Sequence, residues 1–319
     1  MRRRNRVILA TSITLFVFVN FLAAMHAWKF THFTEGGTIP PDPRKQGWAG
    51  KMQAILIGVS HPKPVPVNRP AVPFTTVRLQ SNKSIESWII PADSPTGTII
   101  LFHGYKGEKS SMLDKATVFR SLGYQTMVVD FMGSGGSEGN QTTIGFYEAE
   151  NVKTCFDYAA REMHHPVILF GTSMGAVAIM KSIHEHQLRP AAVILECPFG
   201  TMKQTVDRRF AMMGLPAFPL SSLLMFWGCA LNGFNAFAHN PVDYARSMNL
   251  PVLLMYGEKD DRVSRAETDA IFAVLPGERV LRTFPEAGHD NYLKKYRHKW
   301  TMNVDHFLKG LKSGGQPQP

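Results

Sequence analysis

The sequence predicts an α/β fold: a mostly parallel sheet covered by helices on both faces, carrying a helical insertion and preceded by a transmembrane helix. Three observations predict it. From Thr98 onward, short apolar runs rich in β-branched residues alternate with helical patterns, as in successive βαβ units. One of those runs, over 167–170, ends in Gly171-Thr172-Ser173-Met174-Gly175 and leads directly into the helical stretch 176–180, a strand, a sharp turn and a helix. Near the start, residues 7–28 contain no charge at all.

That first run is long enough to cross the hydrocarbon layer of a bilayer as one helix. Arg2, Arg3, Arg4 and Arg6 precede it and Lys29 follows. This asymmetry predicts a cytoplasmic N-terminus with everything after the helix on the extracytoplasmic (periplasmic) side. A cleaved signal peptide is the rival, but Met25-His26-Ala27 is a poor small-residue cleavage site, so residues 1–29 are read as an uncleaved anchor. Residues 30–73 are rich in proline and glycine and are read as a stalk, with a short helix over 52–57.

The domain that holds the sheet is expected over 74–312. Two antiparallel strands, 74–79 and 85–90, open the sheet around the turn-forming Ser81-Asn82-Lys83-Ser84. Strands follow over 98–102, 125–130, 166–170, 191–196, 252–256 and 279–284, with helices over 111–122, 146–162, 174–186 and 265–274. In such a sheet ligands bind at the carboxyl ends of the strands, where Ser173 lies.

Residues 198–247 break the rhythm, and 210–238 hold no charged residue. A second membrane span is disfavoured, since the strands before and after it must rejoin one sheet. An apolar lid over the serine is expected, with Phe218, Leu224, Phe226, Trp227 and Phe234 available to line a pocket or to touch a lipid surface. Residues 313–319 are read as a flexible tail.

With 319 residues, 44% hydrophobic and 19% charged, the chain can bury one large core. Its net charge of +10 is concentrated in the opening arginines and in Lys294, Lys295, Arg297 and Lys299. No zinc spacing, aromatic-basic interleaving or recognition-helix pattern accompanies that charge, so nucleic-acid binding is excluded. Cys155, Cys197 and Cys229 are too few and too far apart for a disulfide framework or a metal site. Neither a metal nor an organic cofactor is called for.

The G-x-S-x-G turn demands glycine on both sides, because a Cβ there would strike the neighbouring strand and helix. Ser173 then stands at a helix N-terminus, where developing negative charge is favoured. A serine hydroxyl needs a base and the base needs an orienting acid. His289, in Gly288-His289-Asp290 just past the last strand, is the base expected among twelve histidines. In Gly257-Glu258-Lys259-Asp260-Asp261, Asp260 is the expected acid, with Asp261 the runner-up and Glu196 a third candidate; either aspartate could instead cap the helix over 265–274. The oxyanion donors expected are the backbone amides of Met174 and Tyr105, the latter in Phe102-His103-Gly104-Tyr105. His103 beside it is read either as a buttress of that loop or as a residue facing substrate.

Assembled, these residues resemble the α/β-hydrolases, most of all the serine aminopeptidase-like and monoglyceride-lipase-like branch. The resemblance spans about 74–311. It rests on His103-Gly104, Gly171 to Gly175, Gly257 with Asp260 and Val263, Gly288-His289, and a loop from Asp130 to Gly139 similar to the family's D-x-R-G-x-G-x-S. At Phe131-Met132 the chain lacks the family's arginine, which puts the local salt bridge in question. The resemblance implies Ser–His–Asp acyl transfer. The charge-free insertion points to a small-molecule ester or lipid-like substrate with an apolar acyl group. A peptidase or amidase is the alternative within enzymes, with Asp207 alone as an acidic residue in the insertion, and a non-cleaving binding scaffold is the alternative outside them.

Overall fold

The structure is a computed structural model that describes residues 3–41 and 47–313. Its elements are α1 (Arg3–Thr31), α2 (Trp48–Ile57), β1 (Thr75–Gln80), β2 (Ser84–Ile90), β3 (Thr98–Phe102), α3 (Leu113–Ser121), β4 (Gln125–Val129), α4 (Glu148–Glu162), β5 (Val167–Thr172), α5 (Met174–His186), β6 (Ala192–Glu196), α6 (Met202–Met212), α7 (Leu220–Asn232), α8 (Pro241–Ala245), β7 (Val252–Gly257), α9 (Arg265–Val274), β8 (Arg279–Phe284), α10 (Tyr292–Lys295) and α11 (Arg297–Ser313). They form two compact units. One combines Met1–Pro62 with Met202–His239, and the other Lys63–Thr201 with Asn240–Pro319.

The second unit holds the whole eight-stranded sheet, in the order β1-β2-β4-β3-β5-β6-β7-β8. β1 and β2 are antiparallel and β2 meets β4 antiparallel; from β4 to β8 every pair is parallel. The central strands β3, β4, β6 and β7 are buried at every residue, which is why they read as continuous apolar runs rather than alternating ones. β5 lies between β3 and β6, in register Phe102 with Gly171 and Thr172 with Glu196. Three strand ends therefore meet beside Ser173.

Local chemistry sets the flanking helices. α4 buries Ala149, Val152, Cys155 and Ala159, a helical spacing that lays one face on the sheet. α9 opens on a capping box in which Ser264 and Glu267 bond each other's backbone amides, so neither Asp260 nor Asp261 caps this helix. One layer of the core joins Phe119, Phe170, Phe284, Tyr292 and Trp300.

The first unit is helical. α1 runs to Thr31 and pairs with α7, while α2 starts at Trp48, earlier than the sequence suggests, and is held to α1 where His26 Nε2 meets Ile55 O at 2.7 Å. The expected stalk is divided: residues to 62 go with this unit, whereas Lys63 Nζ bonds Ser137 O (2.6 Å) and Pro64 O accepts from Gly135 N (2.8 Å) in the other. The expected lid divides likewise, with 202–239 in the helical unit and its flanks, 198–201 and 240–247, in the sheet unit. Arg2 and the tail from 314 lie outside the described residues.

Candidate active site

The turn after β5 folds as it does because no side chain fits at its glycines. A Cβ on Gly171 would stand 2.6 Å from Ala176 N, and one on Gly175 would stand 2.4 Å from Phe102 O. The squeeze leaves Ser173 at φ 53°, ψ −113°, a conformation that L-residues avoid and that functional sites tolerate. Its amide donates to Glu196 O at 2.8 Å, pinning the turn to the end of β6.

Ser173 Oγ lies 3.0 Å from His289 Nε2, and His289 Nδ1 lies 2.7 Å from Asp260 Oδ2. The other oxygen of Asp260 accepts from the amides of Arg262 (2.7 Å) and Val263 (2.9 Å). Asp260 is only 8% exposed, so those amides replace the water it gives up on folding. Asp261 is exposed. Glu196 is buried but serves elsewhere: Oε1 accepts from Trp300 Nε1 (2.6 Å), and Oε2 accepts from Thr172 Oγ1 (3.0 Å) and faces Lys115 Nζ at 3.7 Å. Lys115 also donates to Asn291 Oδ1 at 3.2 Å, and Asn291 donates to Asp114 at 2.6 Å. The residues next to Ser173 and His289 are thus tied to one buried ion pair.

Cys197 was not singled out by sequence reasoning. It follows Glu196 at φ 41°, is 1% exposed, and its Sγ, a carboxylate oxygen of Asp260 and a ring nitrogen of His289 lie within 4.8 Å of one another. Burial depresses the His289 imidazole; Cys197 and the Asp260 carboxylate more than offset that, and the net shift is upward from 6.5. These three atoms could share a metal, but both nitrogens of His289 are already directed at Asp260 and Ser173. The signal in the sequence was position, since Cys197 stands immediately after a strand that ends beside the nucleophile.

The remaining candidates fall into two groups. Gly104 packs against the nucleophile turn, its Cβ position 3.5 Å from Ser173 Cβ, which brings the Tyr105 loop to the same strand ends. Met174 opens α5 directly after Ser173. His103 is fully buried with both ring nitrogens on backbone: Nδ1 is 2.8 Å from Gly104 O, and Nε2 accepts from Phe131 N at 3.2 Å. That is the buttress arrangement, and it leaves no ring nitrogen for substrate. Phe218, Phe226 and Trp227 belong to the helical unit, with Phe218 78% and Phe226 55% exposed and the Trp227 indole bonded to Asn20. In the Asp130 loop the missing arginine has a substitute. Lys109, fully buried, pairs with Asp130 and with Glu86 (2.9 Å), and its own amide donates to Asp130 Oδ1 at 2.7 Å.

Comparison with known proteins bears on the fold. Residues 93–227 match the family model described as "Serine aminopeptidase, S33". The chain is 26% identical over 227 residues to the uncharacterised protein YqkD of Bacillus subtilis, covering 70% of this chain and 74% of that one. It is 25% identical over 217 residues to the lysophosphatidylserine lipase ABHD12 of Macaca fascicularis, covering 62% of this chain and 50% of that protein. In fold it matches the esterase Pf2001 of Pyrococcus furiosus with a TM-score of 0.66 at 21% identity, over 78% of this chain and 96% of the esterase. The eight-stranded sheet, the G-x-S-x-G turn at its centre and these likenesses show that the chain has the α/β-hydrolase fold.

Proposed function

We propose that the protein is a membrane-anchored serine hydrolase that cleaves carboxylic esters with an apolar acyl group. The observation that carries this reading is the continuous contact from Ser173 Oγ through His289 to Asp260. His289 takes the Ser173 proton as Oγ attacks the carbonyl carbon, and returns it to the leaving alcohol as the tetrahedral intermediate collapses to an acyl-enzyme. Water, deprotonated by the same imidazole, then releases the acid. Asp260 holds the imidazole in the required tautomer, and the amides of Met174 and Tyr105 serve the oxyanion.

The esterase and lipase names among the relatives support a hydrolase acting on esters. The family description, serine aminopeptidase, favours a peptidase or amidase as the second reading. α1 is the anchor in this proposal, with the catalytic unit on the extracytoplasmic side.

Labelling purified protein with a fluorophosphonate probe tests the nucleophile. Wild type should label, and Ser173→Ala should lose both the label and roughly a million-fold in kcat. Hydrolysis of p-nitrophenyl esters from acetyl to palmitoyl then tests the substrate class. Labelling without ester turnover would favour the amidase, and failure of folded wild type to label would overturn the reading.

A further inference from the structure

We propose that the insertion between β6 and β7 is a re-entrant membrane hairpin: its tip, residues 210–219, and the start of α7 sit among the lipid acyl chains beside the C-terminal half of α1. This rests on reading α1 as the membrane anchor.

Two contacts give the depth. Trp227 Nε1 donates to Asn20 Oδ1 at 3.1 Å, and Asn232 Nδ2 donates to Thr31 Oγ1 at 3.3 Å. Both helices therefore run in the same direction, their C-terminal ends together near Lys29. Leu220 begins α7 twelve residues before Asn232, or about 18 Å along its axis. The exposure of α1 agrees: every residue from Arg3 to Phe18 is exposed, and coverage starts at Val19, twelve residues and about 18 Å before Thr31. A bilayer's hydrocarbon layer is about 30 Å thick, so α7, with 13 residues and about 20 Å of length, enters it without crossing.

Charge marks the boundary of the buried part. The last charged residue before the tip, Arg209, packs over the ring of Phe30 at 4.8 Å, level with Lys29, whose ammonium reaches Ile57 O at 2.6 Å. Beyond Arg209 the sequence carries no charge until after Ala238. Met213, Phe218 and Phe226 stand exposed on that stretch, a cost in water and none in lipid. Trp28, exposed one residue before Lys29, is of the residue type that favours a headgroup boundary. Asn20 is the polar group that a span tolerates least, and it is satisfied at both ends, its Nδ2 donating to Phe16 O at 2.9 Å while Trp227 supplies its oxygen's donor. Trp227 can do so only from within the bilayer, since Asn20 lies nine residues, about 13 Å, inside Lys29.

The test uses the full chain in phosphatidylcholine nanodiscs, with one exposed cysteine introduced at a time into a Cys229→Ser background, in which the remaining Cys155 and Cys197 are buried, and labelled with an environment-sensitive NBD probe. Phe16→Cys reports the anchor, Phe218→Cys and Met213→Cys report the tip, and Glu278→Cys, exposed in the sheet unit, is the aqueous control. Nanodiscs carrying 12-doxyl phosphatidylcholine should quench the first three severalfold more than the control. If Phe16→Cys is quenched while both tip probes behave as the control, the hairpin proposal is wrong and the anchor stands. If Phe16→Cys is not quenched either, the anchor reading fails and the hairpin with it. Blue-shifted but unquenched tip probes would mean that protein, such as a second copy of this chain, covers the tip, which also overturns the proposal.

Discussion

The two adjacent aspartates show how much one residue's environment decides. Asp260 is buried, held by two amides and aimed at His289, while its neighbour Asp261 is exposed. Under the proposed mechanism Asp260→Asn should lower kcat on a p-nitrophenyl ester about 10^4-fold, because the imidazole is left in the wrong tautomer, while Asp261→Asn changes it little. The raised pKa of His289 has a direct consequence for pH dependence. Only neutral imidazole accepts the serine proton, so kcat/KM should fall as pH falls through this ionisation, with its midpoint above 6.5. Removing Cys197 removes one of the raising influences. Cys197→Ala should therefore move the midpoint toward lower pH in a pH–rate profile; an unmoved profile would show that the sulfur does not act on the base.

At the scale of elements, the buried pair of Lys115 on α3 and Glu196 at the end of β6 joins the nucleophile turn to the segment after His289. Each side chain is at most 2% exposed. Lys115→Met leaves Glu196 charged and buried, which costs about 3–5 kcal/mol and should lower the melting temperature by roughly 10 °C. Adding Glu196→Gln should recover much of that loss, since no orphan charge remains while Thr172 and Trp300 keep an acceptor. Thermal melts of the single and double variants check this, and a double variant no more stable than Lys115→Met would contradict it. The strands themselves were legible in the sequence to within about a residue or two, because buried parallel strands are unbroken apolar runs bounded by turn residues. The buried ion pairs were not. Lys115 lies in a stretch that reads as ordinary helix and Lys109 in the loop before it, and only the folded chain shows both to be buried against carboxylates.

At the scale of the molecule, the pairing of α1 with α7 makes α1, the anchor in the proposed reading, part of a helical unit rather than a detachable tether. Deleting residues 1–31 should bare the α7 face that carries Trp227 and Asn232. Such a chain should aggregate or bind vesicles in detergent-free size-exclusion runs instead of eluting as a monodisperse soluble enzyme. A clean monomer would show that α7 does not depend on α1.

Sequence alone determined what depends on local pattern. It set the alternation that builds a parallel sheet, the glycine-flanked turn that no other residue type could make around Ser173, and a charge-free helix at the start of the chain. It also ordered Ser173, Asp260 and His289 just after β5, β7 and β8, at the same edge of a parallel sheet. Tertiary structure decided what depends on residues distant in the chain. It distinguished Asp260 from Asp261, gave Glu196 to Lys115 and Trp300, set Cys197 beside the imidazole, and took Trp227 from an expected pocket to Asn20, 207 positions away. The reason is physical: a turn or a strand is fixed by its own backbone preferences, but a buried polar or charged group is fixed by whichever partner the fold brings to it.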